Sequence, residues 1–497
     1  MLSKYLVLFL YFILLFAIGI LAAGRVRNIK DYYVGGKRLG YWVVAFSSRA
    51  TGSSAWALLG LSGMGAIFGV YAYWVTLGTV SGVALSWFLM AKPFKRLSDS
   101  YESITVPDYL ESRLNASSNL LRGLAATVLS VFVMIYVSAQ IDATGTAFET
   151  FLGWDYYTGA IVGFLIVVLY MSFGGFVAVA WSDVFQGTVM LLGLVALPVV
   201  FMFAKDSPAE VVAGIREIDP GLLSIWGAQG FSAESVAGII GFLMIGLGYL
   251  GSPQLYVRFM SVRDTREIDK GKWVSVMLTL LMNTSAVSIG IIGRYFFTGA
   301  ADDPLVILGN GGQNVLIMLA EALLPGLLSG FYIAAVLSAI MSTIDSLLVL
   351  ASSAVARDFY QKIYHPELKD EQLSLFSKKV TLGLSLGALL LALSVALLVP
   401  GRTIFWFVIF GWSGIAATFC PVIILSIFWK PYTERGAIVS MLVGFVSVPL
   451  FKFAAPALPV VGIYFAKIAE LLPSFLLAVI AGMLVSRYFR QTAAQSS

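Results

Sequence analysis

Arg49-Ala50-Thr51-Gly52-Ser53-Ser54-Ala55-Trp56 interrupts an apolar run over residues 41–66, and Gly246-Leu247-Gly248-Tyr249-Leu250-Gly251-Ser252-Pro253 interrupts a second over 233–258. Small polar residues, glycine and proline in mid-run loosen the helix there and free backbone groups that an unbroken helix would bond internally. Around these two stretches the chain is 59% hydrophobic and only 12% charged, with a mean hydropathy of +0.89. Soluble domains carry about 25% charged residues, so most of this exterior faces lipid. Backbone groups in hydrocarbon must bond internally, which leaves helices or closed barrels. Barrels alternate over short segments, whereas this chain has continuous apolar runs of about 20 residues. The expected fold is therefore an all-α polytopic membrane protein.

Working outward, the apolar runs predict spans near 4–23, 41–66, 70–91, 121–148, 156–175, 177–204, 233–258, 273–297, 325–355, 379–399, 403–428, 436–455 and 470–487, about thirteen in all. Basic residues collect in alternate loops: Arg25/Arg27/Lys30/Lys37/Arg38, Lys92/Lys95/Arg96, Arg263/Arg266/Lys270/Lys272, Lys362/Lys369/Lys378/Lys379 and Lys430/Arg435. The loops between, such as Gly299 to Gly312 with Asp302 and Asp303, are acidic or neutral. The positive-inside rule then sets the N-terminus outside and the C-terminus in the cytoplasm. The net charge of +5 follows this loop pattern and implies no nucleic-acid partner. Ala22-Ala23-Gly24 has the look of a signal-peptide cleavage site, but Arg25, Arg27 and Lys30 follow it, which favours an uncleaved first span. One cysteine, Cys420, and one histidine, His365, exclude an internal disulfide and argue against zinc, iron–sulfur or haem cofactors; no nucleotide cofactor is expected either.

Counted from the second span, the two interrupted spans each open a group of five helices. Five is odd, so the second group crosses the membrane inverted relative to the first. Broken helices at matching places in inverted repeats point to a transporter's binding site; glycine and serine also serve close helix packing. The expected divisions are 1–40 (first helix and cytoplasmic loop), 41–204 (first repeat), 205–232 (outer loop), 233–428 (second repeat) and 429–497 (two peripheral helices and tail).

Several stretches carry a family resemblance: Gly35-Gly36-Lys37-Arg38-Leu39-Gly40, Thr105-Val106-Pro107-Asp108-Tyr109-Leu110, Gly174-Gly175-Phe176 with Trp181-Ser182-Asp183 and Gln186, Gly246 to Pro253 with Arg258-Phe259-Met260, and Ser338-Ala339-Ile340-Met341-Ser342-Thr343. In this order the chain resembles the sodium/solute symporter family over nearly its whole length, and most closely its bacterial sodium/proline branch. The resemblance implies a leucine-transporter-type 5+5 inverted repeat with one extra helix before and two after. It implies a secondary active symporter of a bacterial inner membrane, importing proline or another small amino or carboxylic acid on a sodium gradient. The partners are then the solute, sodium or a proton, and the lipid bilayer; oligomeric state is left open.

By the same resemblance, sodium is held at Ala50 and Ser53 on the first break and at Ala339, Ser342 and Thr343 on the ninth span. The last three share one helical face, and unwound backbone supplies the oxygens that a hard cation needs. Charge at membrane depth is usually functional, which singles out Arg49, Asp183 and Asp345 as ion-coupling residues; Arg49 is expected to pair with Asp345 or Asp183. The solute is expected between the breaks at Trp56, Tyr136, Tyr249 and Pro253, with Gly52 and Ile245 marking departures from the sodium/proline branch. That branch has an acid at the position of Gly52, a small residue at that of Arg49 and a tryptophan at that of Ile245. The charge change weakens a bound cation, so proton coupling and ion-independent exchange stay open beside sodium coupling. Gln140 and Asp142 are read as lining an outer vestibule, Asp142 equally as a helix-end carboxylate. Lys467 and Glu470 are read as an interfacial pair, and Trp412 as helix packing. A sensor is the competing class, but the tail after Arg487 is too short for an output domain; a membrane-embedded enzyme lacks a nucleophile–base pattern.

Overall fold

The computed structural model describes residues 2–24, 28–171 and 175–495. Arg25 and Arg27 of the first basic loop, and Gly174 of the family motif, lie outside the described residues. Eleven described stretches are long and apolar enough to cross a membrane. One of them, Tyr41–Ser100, holds two passes divided at Gly69–Ala72, and the shorter apolar helix Tyr156–Leu169 supplies one more. Thirteen passes result, as the apolar runs predict.

The passes are α1 (Leu2–Ala23), α2 (Tyr41–Ala55, Trp56–Gly60 and Leu61–Phe68), α3 (Tyr73–Leu85, Ser86–Met90 and Ala91–Ser100), α4 (Leu120–Leu152), α5 (Tyr156–Met171) and α6 (Gly175–Ala204). They continue with α7 (Ala233–Met244, Ile245–Leu250 and Pro253–Ser261), α8 (Thr265–Phe297), α9 (Gly326–Ser353, extended by Ala354–Tyr364) and α10 (Asp370–Leu398). The last three are α11 (Ile404–Phe428), α12 (Glu434–Pro449) and α13 (Leu471–Gln495). Large apolar side chains such as Leu6, Phe9, Leu390 and Leu398 are exposed on the bundle's outside, where lipid is their natural contact.

Contacts at both ends fix α2 and α7 as antiparallel. At the start of α2, the Leu39 amide donates to the Ser261 carbonyl at 3.0 Å, just where α7 ends. At the far end, Tyr71 beyond α2 donates its hydroxyl to the Ser235 carbonyl at 2.9 Å, where α7 begins. The third helices of the two groups repeat this relation: Arg122 at the start of α4 meets Asp358 in the extension of α9 at 2.6 Å. The second group of five is thus inverted relative to the first.

Arg122 is buried and also holds Asp108 at 2.9 Å and Glu111, while Arg357 reaches Asp108 at 3.2 Å. Burial alone raises the Asp108 carboxyl, but Arg357 and Arg122 beside it hold it below the usual carboxylate range. This cluster closes the end of the bundle where α2 begins, since Tyr33, Thr105, Val257 and Asp358 line one small cavity there.

Helix approach around the second break is set by glycine. A Cβ on Gly82 of α3 would strike the Gly246 carbonyl, and one on Gly246 would strike that of Gly78. Gly82→Ala should therefore push α3 off the break and cost about 1–3 kcal/mol of overpacking, read as a lowered unfolding midpoint of the purified protein in micelles.

Candidate functional site

The first break is at Ser54, whose φ of 46° and ψ of −170° end one helical segment and start another. Such a conformation costs a non-glycine residue about 1–3 kcal/mol, and the surroundings hold it in place. The amide of Ala55, freed at the start of the second segment, donates to Gln140 Oε1 on α4 at 2.9 Å. Tyr136, one turn away on α4, donates its hydroxyl to Ser54 Oγ at 3.4 Å.

The second break lies at Gly251–Ser252, after the tight turn Ile245–Leu250, and the helix restarts with Pro253 in its first turn. Its freed carbonyls are taken by α11. Trp412 Nε1 donates to the Ile245 carbonyl at 3.2 Å, and the Cys420 thiol to that of Gly248 at 3.4 Å. Trp412 also packs its ring 5.0 Å from that of Tyr249. It packs against the second break, as its glycine-rich neighbourhood suggests, and its indole also satisfies one of that break's carbonyls.

The expected solute residues converge on the first break. Trp56 Nε1 and the Tyr249 hydroxyl both donate to the Gly52 carbonyl, at 3.1 and 3.3 Å. Trp56, Tyr136, Tyr249, Pro253 and Ile245 are all buried. Phe405 stands edge-on to Trp56 at 6.2 Å and, with Gly60, Met64, Gln313 and Trp406, lines a cavity of about 250 Å³. Pro253 is the start of the second half-helix.

At the expected ion site, Ser342 and Thr343 on α9 point at the unwound end of α2. Ser342 Oγ lies 3.3 Å from the Ala50 carbonyl and 3.2 Å from that of Ala339. Thr343 Oγ1 lies 3.2 Å from the Thr51 carbonyl and 3.0 Å from that of Ala339. Five oxygens thus face one another, a donor set that suits a hard cation. Thr51, which the sequence reading passed over, supplies the second break carbonyl; the Ser53 hydroxyl instead donates to the Arg49 carbonyl at 2.7 Å.

The pairing expected of Arg49 is corrected by the structure. Arg258 on α7 holds Asp183, Nη2 to Oδ2, at 2.9 Å. Arg258 also donates to Ser47 Oγ at 2.8 Å, Thr51 Oγ1 at 2.5 Å and Ser346 Oγ at 2.6 Å. Ser47 donates to Asp183 as well, at 2.6 Å, and Ser346 to Asp345 at 3.4 Å. Arg49 instead donates Nη2 to Asn283 Oδ1 on α8 at 2.6 Å. The reason is angular: Ser47 and Thr51 share one face of α2, and Arg49, two residues from each, points the other way. Asp183 Oδ1 and Asp345 Oδ2 are buried and have no hydrogen-bond partner among the described residues.

Two outer readings also resolve. Asp142 is an internal anchor: Arg402 reaches it at 2.5 Å and Tyr156 donates to it at 2.5 Å. Glu470 pairs with Lys452 at 3.5 Å, not with Lys467.

Residues 32–444 match the sodium:solute symporter family. The chain belongs to this family. A high-affinity proline transporter of Bacillus subtilis (strain 168) is 35% identical over 88% of this chain and 89% of its own. An osmoregulated proline transporter of the same organism is 32% identical over 98% of this chain and 95% of its own. A sodium/proline symporter of Haemophilus influenzae is 30% identical over 94% and 91%. A substrate-bound, outward-open sodium-coupled sialic acid symporter matches 98% of this chain and 97% of its own at 20% identity, with a TM-score of 0.79. A multi-helix symporter of this family is a membrane transporter rather than an enzyme.

The Arg258–Asp183 pair joins α7 to α6 in a buried setting. Arg258→Met should destabilise the protein by about 3–5 kcal/mol by leaving Asp183 uncompensated, and Asp183→Leu added to it should recover most of the loss. Denaturant unfolding of the single and double variants measures this; additive losses would contradict the pairing.

Proposed function

We propose that this symporter imports a small amino or carboxylic acid, the class that includes the proline of its relatives' names, on an inward sodium gradient. The convergence of Ala50, Thr51, Ala339, Ser342 and Thr343 oxygens beside the first break is the observation that carries the reading. Sodium is cargo here, released in each cycle. The solute sits at Gly52, Trp56, Tyr136 and Tyr249, between the two breaks, where the positive end of a half-helix suits a carboxylate. Residues 41–204 and 233–428 act as the two repeats that rock about this site. Asp183 and Asp345 line the cation's way to the cytoplasm, with Arg258 between them. The chain lies in a bacterial inner membrane, N-terminus outside and C-terminus in the cytoplasm, as its basic loops direct.

The unpartnered oxygens of Asp183 and Asp345 favour one second reading, coupling to protons. Proteoliposomes separate the two. An imposed sodium gradient should accumulate labelled solute, and a proton gradient at equal sodium should not; the reverse result overturns sodium coupling. Ser342→Ala and Thr343→Ala each remove one ligand to a charged species, a loss of about 1.5–3 kcal/mol. Each should raise the half-saturating sodium concentration about ten- to a hundredfold.

A further inference from the structure

Arg49 stands out among the buried charges. Its side chain is 3% exposed, and its Nε and Nη1 have no hydrogen-bond partner. Nη2 donates to Asn283 Oδ1 at 2.6 Å, the Tyr249 hydroxyl also stands beside the guanidinium, and Asn283 is oriented in turn by donating Nδ2 to Thr79 Oγ1 at 2.7 Å. No carboxylate of the described chain pairs with it: Asp183 is held by Arg258, and the neighbours that bear on Arg49 are Tyr249 and Tyr136. Arg49 and Tyr249 line one small cavity with Ser48, Leu255 and Thr279. A buried cation with no counter-ion is costly, and here the guanidinium is held in place with two nitrogens free.

The acceptors at the neighbouring first break are already engaged. The Gly52 carbonyl already accepts from Trp56 Nε1 and from the Tyr249 hydroxyl, which uses both of its lone pairs. Ser54 Oγ accepts from the Tyr136 hydroxyl and from the Trp56 amide, each at 3.4 Å. Gln140 Oε1 is taken by the Ala55 amide, while its Nε2 has no partner. An ammonium entering this place meets acceptors already engaged and a positive charge; a carboxylate meets that charge, with Arg49 Nε and Nη1 and Gln140 Nε2 as the unpartnered donors.

We propose that Arg49 anchors the solute's carboxylate, and that the solute is a net anion: a small carboxylate lacking a compensating ammonium. This rests on the transport reading for the position of the solute between the two breaks. Specificity then lies in charge, since ring size and shape are set by Trp56, Tyr136 and Tyr249 in either case. The guanidinium supplies the charge-assisted bonds that a carboxylate takes best.

Three probes of matched shape test it: proline, a zwitterion, and two anions, tetrahydrofuran-2-carboxylate and cyclopentanecarboxylate. Binding to the purified full-length protein in sodium-containing buffer is read by calorimetry and by thermal stabilisation. At least one anion should bind ten times or more tighter than proline. Arg49→Gln should weaken that anion at least tenfold, with Arg49→Lys recovering part of the loss. Proline binding as well as or better than both anions, or Arg49→Gln leaving anion affinity unchanged, overturns the proposal. Should Arg49→Gln fail to fold, the comparison on the unaltered chain decides alone, and no binding by either anion also overturns it. Flux in proteoliposomes keeps the two readings apart. Anion-selective binding without sodium-driven uptake supports the anchor and refutes symport; sodium-driven proline uptake with no anion preference does the reverse.

Discussion

Arg258 is buried to 1% exposure, and four helices meet on its guanidinium. It extends from the C-terminal segment of α7 to Asp183 on α6, to Ser47 and Thr51 on α2 and to Ser346 on α9. A charge taken out of water is tolerable only where nearly every donor finds an acceptor, and these helices supply that together. The Thr51 carbonyl that meets Thr343 lies on the same residue as the hydroxyl that meets Arg258. The Thr51 carbonyl beside the first break is therefore positioned in part by this ion pair.

The two breaks are served from elsewhere in the fold. Gln140 and Tyr136 on α4 satisfy the first, and Trp412 and Cys420 on α11 satisfy the second. Unwound backbone inside a membrane is stable only where neighbouring protein or water meets its polar groups. Each interrupted helix thus has a continuous partner whose side chains do what its own backbone cannot. The strain held at Ser54 stays local because Gln140 takes up the amide next to it.

The thirteen passes, the two interruptions and the inversion were legible because each leaves a mark along the chain: apolar length, small polar residues in mid-run, and an odd count. That Ala339, Ser342 and Thr343 share one face of α9 was legible in their 0, +3 and +4 spacing; the family resemblance, not the spacing, proposed them for a cation. Partners far apart in sequence were not. Arg258 sits five residues past Pro253 among Tyr256, Val257 and Phe259, and its burial there was the available signal. Nothing local, however, says that Asp183, 75 positions away, is its counter-ion. Depth along a helix placed Arg49 near the carboxylates; direction around the helix decided otherwise. Trp412 was read as packing because glycines flank it; those glycines, Gly411 and Gly414, face Tyr136 and Phe132 of α4, and it is Gly248 on α7 that makes room for the indole beside the Ile245 carbonyl.

Gly52 also limits which sequences can follow this one. A Cβ there would lie 3.3 Å from Tyr249 Cε1 and 3.6 Å from its hydroxyl. Tyr249 cannot swing aside freely, since Trp412 packs on its ring and the Gly52 carbonyl holds its hydroxyl. A side chain at position 52 would need the Tyr249 ring to give by a few tenths of an ångström, and an acid there would stand one helical turn from Arg49. The room that a single hydrogen atom leaves at Gly52 thus ties any replacement there to the freedom of Tyr249.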